Sequence, residues 1–217
     1  MNMINGFIFD LDGTLLDRDS SLRAFVGHQY DRISQLQCMD KNLYMTEFIK
    51  LDSRGYVWKD KVYQQLIQAY HLPISHEALL EDYVSNFKYH CIGFPLLHEC
   101  LQELRDRGMK LGMITNGYGE FQLNNIRALD IEKYFDTILI SEIEGLRKPD
   151  PEIFNRALRN LDLTPTEAVY VGDHPENDVL ASRRVGMKGI WKEDLYYDAA
   201  FECDYTIRDL TELRHIR

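Results

Sequence analysis

From residue 93 onward, short apolar runs alternate with amphipathic stretches, and this alternation allows few architectures. "KLGMIT", "TILIS", "AVYVGD" and "KGIW" read as strands, with "DYTI" as a further one. Between them, "PLLHECLQELRDRG", "GEFQLNNIRALD", "DPEIFNRALRNLDL" and "ENDVLASRRVG" read as helices. The first is stopped by Gly108, and the third carries Pro151 near its start. Strand–helix alternation predicts an α/β fold with a Rossmann-like, doubly wound parallel sheet and helices on both faces.

One apolar run, "GFIFD" at Gly6 to Asp10, lies far from the others. The text that follows it is helical. Leu22, Phe25, Val26, Tyr30, Ile33 and Leu36 recur at three- and four-residue steps, as do Leu79, Leu80, Tyr83, Val84 and Phe87. "KNLYMTEFIKL" and "VYQQLIQAY" add short helices, with turn residues in "DSRGYV" and "HLPIS". The expected organisation is a core from residues 1–16 and 93–217, interrupted by an all-helical cap domain at 17–92. Parallel sheets bind ligands beyond the carboxyl ends of their strands. An insertion leaving from that edge is expected to serve as a substrate lid, hinged near 16–18 and 91–94.

Several strands end in polar groups: "FIFD-LD", "GMIT-N", "LIS-E" and "VYVG-D". In a parallel sheet these ends share one edge, which brings Asp10, Thr115 and Asp173 together, with Asp12 and Asp178 close in sequence. Crowded carboxylates raise one another's pKa unless a cation neutralises them. Oxygen donors of this kind suit Mg²⁺. The "DGT" and "TNG" turns offer backbone N–H groups of Asp12, Gly13 and Asn116 to an anion, and Thr115 offers a hydroxyl. Lys148, in "GLRKPDPEIF", can project a point charge inward. The plainer alternatives are turn and helix-cap roles for the acids and a solvated lysine.

Composition narrows the partners. The formal charge of −10 disfavours general nucleic-acid binding, which demands clustered Lys and Arg. No stretch approaches the roughly 18 apolar residues of a membrane span. "MNMINGFIFD" lacks the basic start and long apolar run of a signal peptide. Cys38, Cys91, Cys100 and Cys203 form no C-x-x-C pair, so a cytoplasmic location with reduced thiols is expected.

"DLDGTL" at 10–15, "ITNG" at 114–117, "GLRKPDPEIF" at 145–154 and "VGDHPENDV" at 171–179 resemble the four motifs of the haloacid dehalogenase superfamily. They stand in the right order, and the resemblance spans the whole chain. It is greatest to the phosphatase branch with a helical cap, which includes phosphoglycolate phosphatases and nucleotidases. It implies a Mg²⁺-dependent phosphatase acting on a small phosphorylated metabolite through an aspartyl phosphate. Asp10 would be the nucleophile and Asp12 the general acid and base. Asp10, Asp12 through its carbonyl, Asp173 and Asp178 would bind the metal, with Asp178 in an outer or additional position. Gly13, Thr115, Asn116 and Lys148 would hold the phosphate. A sugar-phosphate phosphomutase shares these motifs. A 2-haloacid dehalogenase fits less well, because those enzymes lack an acid two residues after the nucleophile. A non-catalytic module would be expected to have lost one of these residues.

The remaining candidates have plainer expectations. His174 is expected to cap the helix beginning near Pro175. Trp58 and Tyr63 are expected in a core, and Arg18, Arg23, Arg54, Lys59 and Lys88 on a solvated face. Substrate identity is not legible, and a monomer or small homo-oligomer is expected.

Overall fold

The computed structural model describes residues 3–197 and 200–216. It divides into two compact units, Met1–Asp17 with Gly93–Arg217, and Arg18–Ile92.

The first unit is built on a six-stranded sheet. Its strands are β1 (Gly6–Phe9), β2 (Lys110–Thr115), β3 (Thr137–Ile140), β4 (Ala168–Gly172), β5 (Lys188–Lys192) and β6 (Tyr205–Ile207). All pairings are parallel, in the order β3-β2-β1-β4-β5-β6. Strands buried on both faces need continuous apolar text rather than alternation. β1 and β4 meet that demand, since every residue of each is buried. Ile8, Ile114, Leu139 and Tyr170 pack in one core cluster with Ile153, Phe154, Ala157, Leu158 and Leu161.

Those last five residues form the apolar stripe of a helix running Pro151–Leu161. Asp150 caps its start by accepting from the Glu152 N–H at 2.9 Å. Pro151 fills the first turn, where its missing N–H costs nothing. Helices Leu97–Asp106 and Gly119–Ala128 supply further cover. The first begins two residues later than the "PLLHEC" pattern predicts, because Leu96 adopts a left-handed backbone.

Residues 175–185 depart from the predicted regular helix. Pro175–Leu180 is π-helical, and only Ala181–Val185 is α-helical. The Val179 N–H reaches back five residues to the His174 carbonyl at 3.4 Å. Widened turns of this kind often mark functional positions. Here the wide turn carries the buried side chain of Asp178 back to the strand ends.

The sheet order sets the location of a site. From β1 the chain builds outward through β2 and β3, then returns to lay β4 on the other side of β1. The reversal between β1 and β4 is the crevice where ligands of such sheets bind. The chain leaves this unit after Asp17 and re-enters it at Gly93. Those two points are tied together inside the unit. Leu16 bridges Gly93 in antiparallel fashion, and the Phe94 N–H donates to the Leu15 carbonyl at 3.0 Å.

The second unit contains helices Arg18–Arg32, Lys41–Asp52, Lys59–Tyr70 and His76–Asn86, with short 3-10 turns between them. Its core is aromatic: Phe25, Tyr44, Phe48 and Tyr63 are all fully buried. Gln29, also fully buried, accepts from the Tyr44 and Tyr63 hydroxyls at 3.1 and 2.9 Å. Tyr63 is thus a core residue, as expected. The solvated-face expectation fails for Lys59 and Arg18. Lys59 is 2% exposed and pairs with Asp52, itself 1% exposed, while the Arg18 guanidinium reaches the same carboxylate at 2.7 Å.

Candidate active site

Asp10 follows the last residue of β1 and is buried. Asp173 follows the last residue of β4, and Asp178 lies in the π-helical turn beyond it. Each of the three offers a carboxylate oxygen, and these oxygens all lie within 4.8 Å of one another. Gly172 permits the approach of Asp178, because a Cβ there would stand 2.4 Å from that of Asp178.

Lys148 enters this acidic group from the loop before helix Pro151–Leu161 and is 3% exposed. Its ammonium donates to Asp10 Oδ1 at 2.6 Å, Asp178 Oδ1 at 2.7 Å and the Tyr170 hydroxyl at 2.9 Å. An ammonium has three donors, so all are used. The other Asp178 oxygen accepts from the His174 N–H at 3.0 Å. Both Asp178 oxygens are therefore engaged with protein groups.

The electrostatics follow from burial. Desolvation pushes the Asp10 carboxyl up to about 7; Lys148 opposes the rise, and Asp178 and Asp12 add to it. Asp173 is pushed well above the usual carboxylate range by burial, then by Asp10 and Asp178. Burial disfavours the Lys148 ammonium, but Asp10 and Asp178 outweigh it and hold its pKa well above the ordinary lysine value. A set of buried acids that resist ionising together is what a bound cation would relieve.

The Asp12 carboxylate takes a different direction. It accepts from Gln122 Nε2 at 2.7 Å, and the same amide donates to Thr115 Oγ1 at 2.8 Å. Asn125 fixes that amide by donating to Gln122 Oε1 at 3.1 Å. Three of the four predicted acids thus converge, and the fourth is held with Thr115 by a buried glutamine. Any metal role for Asp12 rests on its backbone carbonyl.

The phosphate-side expectations need correction at Gly13. The Gly13 N–H donates to the Leu16 carbonyl at 2.9 Å, which removes it from the predicted anion cradle. The Asn116 side chain clamps the Lys148 backbone reciprocally, donating to its carbonyl at 3.0 Å and accepting from its N–H at 2.9 Å. What Gly13 provides is shape. Its φ is +82°, and a Cβ would stand 2.4 Å from Asp173 Oδ2.

His174 is a cap, as expected: its Nδ1 accepts from the Glu176 and Asn177 N–H groups at 3.1 and 3.2 Å. Sequence reasoning passed over Gln122, Asn125 and Tyr170. The available signal was the placement of Gln122 and Asn125 three residues apart, in step with buried Ile126, on one helix face.

The site is thus a lysine-bridged aspartate cluster at the switch point of a parallel α/β core. The profile of the haloacid dehalogenase-like hydrolases matches residues 7–192, and the chain belongs to that family. It is 30% identical to the glyceraldehyde 3-phosphate phosphatase of Methanocaldococcus jannaschii over 229 residues, covering 97% of this chain and 96% of that one. Its fold is similar to the crystal structure of a HAD phosphatase from Thermococcus onnurineus, with a TM-score of 0.70, 28% identity and coverage of 98% and 97% of the two chains. A HAD-type hydrolase of Bacillus subtilis, crystallised bound to magnesium, shares the fold with a TM-score of 0.78 at 21% identity, covering 99% of this chain and 98% of that one.

Proposed function

We propose that this protein is a Mg²⁺-dependent phosphatase that hydrolyses a small phosphomonoester through an aspartyl phosphate on Asp10. The observation that carries the reading is the division of labour between Asp10 and Asp12. One carboxylate sits against a buried ammonium and two further acids; the other is held apart, beside Thr115, by Gln122.

In the first step an Asp10 oxygen attacks phosphorus and the ester P–O bond breaks. Asp12, protonated, gives its proton to the departing alkoxide. In the second step Asp12 takes a proton from water, whose oxygen attacks the phosphoryl group and frees Asp10 and inorganic phosphate. Lys148 offsets charge on the transferring group, chiefly through its fixed position, since its three donors are already engaged. Thr115, oriented by Gln122, supports the same group.

The donor set fits a hard divalent cation: three buried carboxylate oxygens lie close together and two of the acids resist ionisation. Asp10 and Asp173 would hold Mg²⁺, aided by the Asp12 carbonyl, with Asp178 as the outer support. When bound, the ion supplies the neutralisation that lets an anionic ester approach a carboxylate.

The helical unit Arg18–Ile92 is proposed as the specificity cap, because it is inserted directly after the loop that carries Asp12. Among the described residues no helix is long and apolar enough to cross a membrane.

The test is a panel of phosphomonoesters with Mg²⁺, including glyceraldehyde 3-phosphate, phosphoglycolate, sugar phosphates and nucleotides, scored by kcat/KM. Phosphate release by the wild type and none by Asp10→Asn supports the reading. No hydrolysis of any ester removes it, and transfer of phosphate to a sugar hydroxyl instead of water would make the protein a mutase.

A further inference from the structure

Lys192, the last residue of β5, is 5% exposed and has no part in the reaction described above. Its Nζ donates to the Gly13 carbonyl at 3.2 Å and stands 3.3 Å from the centroid of the Phe94 ring. Asp173, Asp194 and Asp17 surround it electrostatically. Burying an ammonium carries a desolvation cost that an apolar side chain of similar length avoids. The site therefore spends a charge where methionine would fill the space.

Its acceptor shows what the charge does. The Gly13 carbonyl belongs to the peptide that follows Asp12 and Gly13 in the turn, and the Gly13 N–H is closed onto Leu16. The turn backbone is thus held at the Gly13 N–H by the loop and at the Gly13 carbonyl by Lys192. Phe94, under the ammonium, is bonded through its own N–H to Leu15. One cation joins the loop carrying Asp12 to the point where the chain re-enters this unit.

We infer that Lys192 is a positioning residue, which orients the Asp12 carboxylate by holding the Gly13 carbonyl and does not itself touch substrate. The inference rests on the phosphatase reading. A charged hydrogen bond lost behind the general acid should slow turnover more than it weakens substrate binding.

The experiment compares wild type, Lys192→Met and Lys192→Arg as full-length chains with Mg²⁺ and an alkyl phosphate. Lys192→Met is expected to lose roughly ten- to a hundredfold in kcat with KM within about twofold. Lys192→Arg should recover most of it, because a guanidinium can donate to the carbonyl and stack on the ring. Wild-type kcat in Lys192→Met overturns the inference, as does an arginine variant as slow as the methionine one. Hydrogen exchange of the peptide spanning residues 11–16 is read alongside, and should be faster in Lys192→Met than in the other two. Should the wild type hydrolyse no ester, the functional reading fails separately. Exchange alone then decides: equal rates in all three proteins overturn the clamp. If Lys192→Met does not fold, Lys192→Gln replaces it with the same expectations, since its amide falls one atom short.

Discussion

The Gln122 side-chain amide lies 2.7 Å from Asp12 Oδ2, a bond that crosses from the helix after β2 to the loop after β1. It makes the orientation of Asp12 depend on a residue with no charge of its own. Gln122→Met should keep the fold and lower kcat for an alkyl phosphate about 10- to 100-fold. The loss should be smaller with p-nitrophenyl phosphate, whose leaving group needs little protonation. Steady-state kinetics on the two esters checks this; equal losses of kcat on both would show that Gln122 does not act through protonation of the leaving group.

Acid in the metal-free protein should stabilise, not destabilise, across the mildly acidic range. Burial lifts Asp10 to about 7 and Asp173 well above its usual value, so the fold holds protons that the unfolded chain releases near pH 4. The fold then binds more protons than the unfolded state, and stability falls as pH rises from about 4 to about 7. Thermal melts with EDTA should show Tm decreasing over that window. Asp10→Asn should flatten the slope and raise Tm near pH 8.

Mg²⁺ should reverse the neutral-pH loss. A ligand at about 100 times its Kd stabilises by about 2.7 kcal/mol. Differential scanning calorimetry at pH 7.5 should show a higher Tm with Mg²⁺ than with EDTA, and the gain should shrink in Asp173→Asn. EDTA should also abolish phosphate release.

Gly13→Ala should be inactive out of proportion to its size. The added methyl would meet Asp173 Oδ2 at 2.4 Å in a backbone conformation that alanine avoids. Loss of turnover with a weakened Mg²⁺ response is expected. The same substitution at Gly108 meets nothing within 4 Å and should leave activity unchanged, costing only the backbone strain.

In the helical unit, Asp52→Asn should strip Lys59 and Arg18 of their shared partner. Burial pushes the Asp52 carboxyl up, and the two cations outweigh it and hold the group below its ordinary value. Breaking a buried pair costs about 3–5 kcal/mol. Chemical denaturation should report a loss on that order. In the wild type, this contribution should fade only as pH falls below about 4, where Asp52 takes up its proton.

Much of this architecture was legible because backbone chemistry writes it plainly. Buried parallel strands demand unbroken apolar runs, and "FIFD" and "AVYVGD" are such runs with acids at their ends. What stayed hidden was the partnering of polar side chains. The Asn116 side-chain amide matches the Lys148 peptide, a pairing across 32 positions that no local pattern encodes. Lys59 looked solvated for the same reason, since its partner Asp52 sits at the end of another helix. The π-helical turn at Pro175–Leu180 was invisible because periodicity tracks side-chain faces, not the hydrogen-bond step beneath them.

The bridge between Leu16 and Gly93 has one more consequence. It zips the exit and entry of the chain together at the root of the insertion, and the entropic cost of closing that bridge grows only slowly with the length of what hangs between them. Whatever is spliced in at that root, short loop or whole helical bundle, the catalytic loop is anchored alike. The protein is in that sense a socket: the strand-end acids stand on one side of the joint, and the helical segment between Arg18 and Ile92 is plugged in on the other.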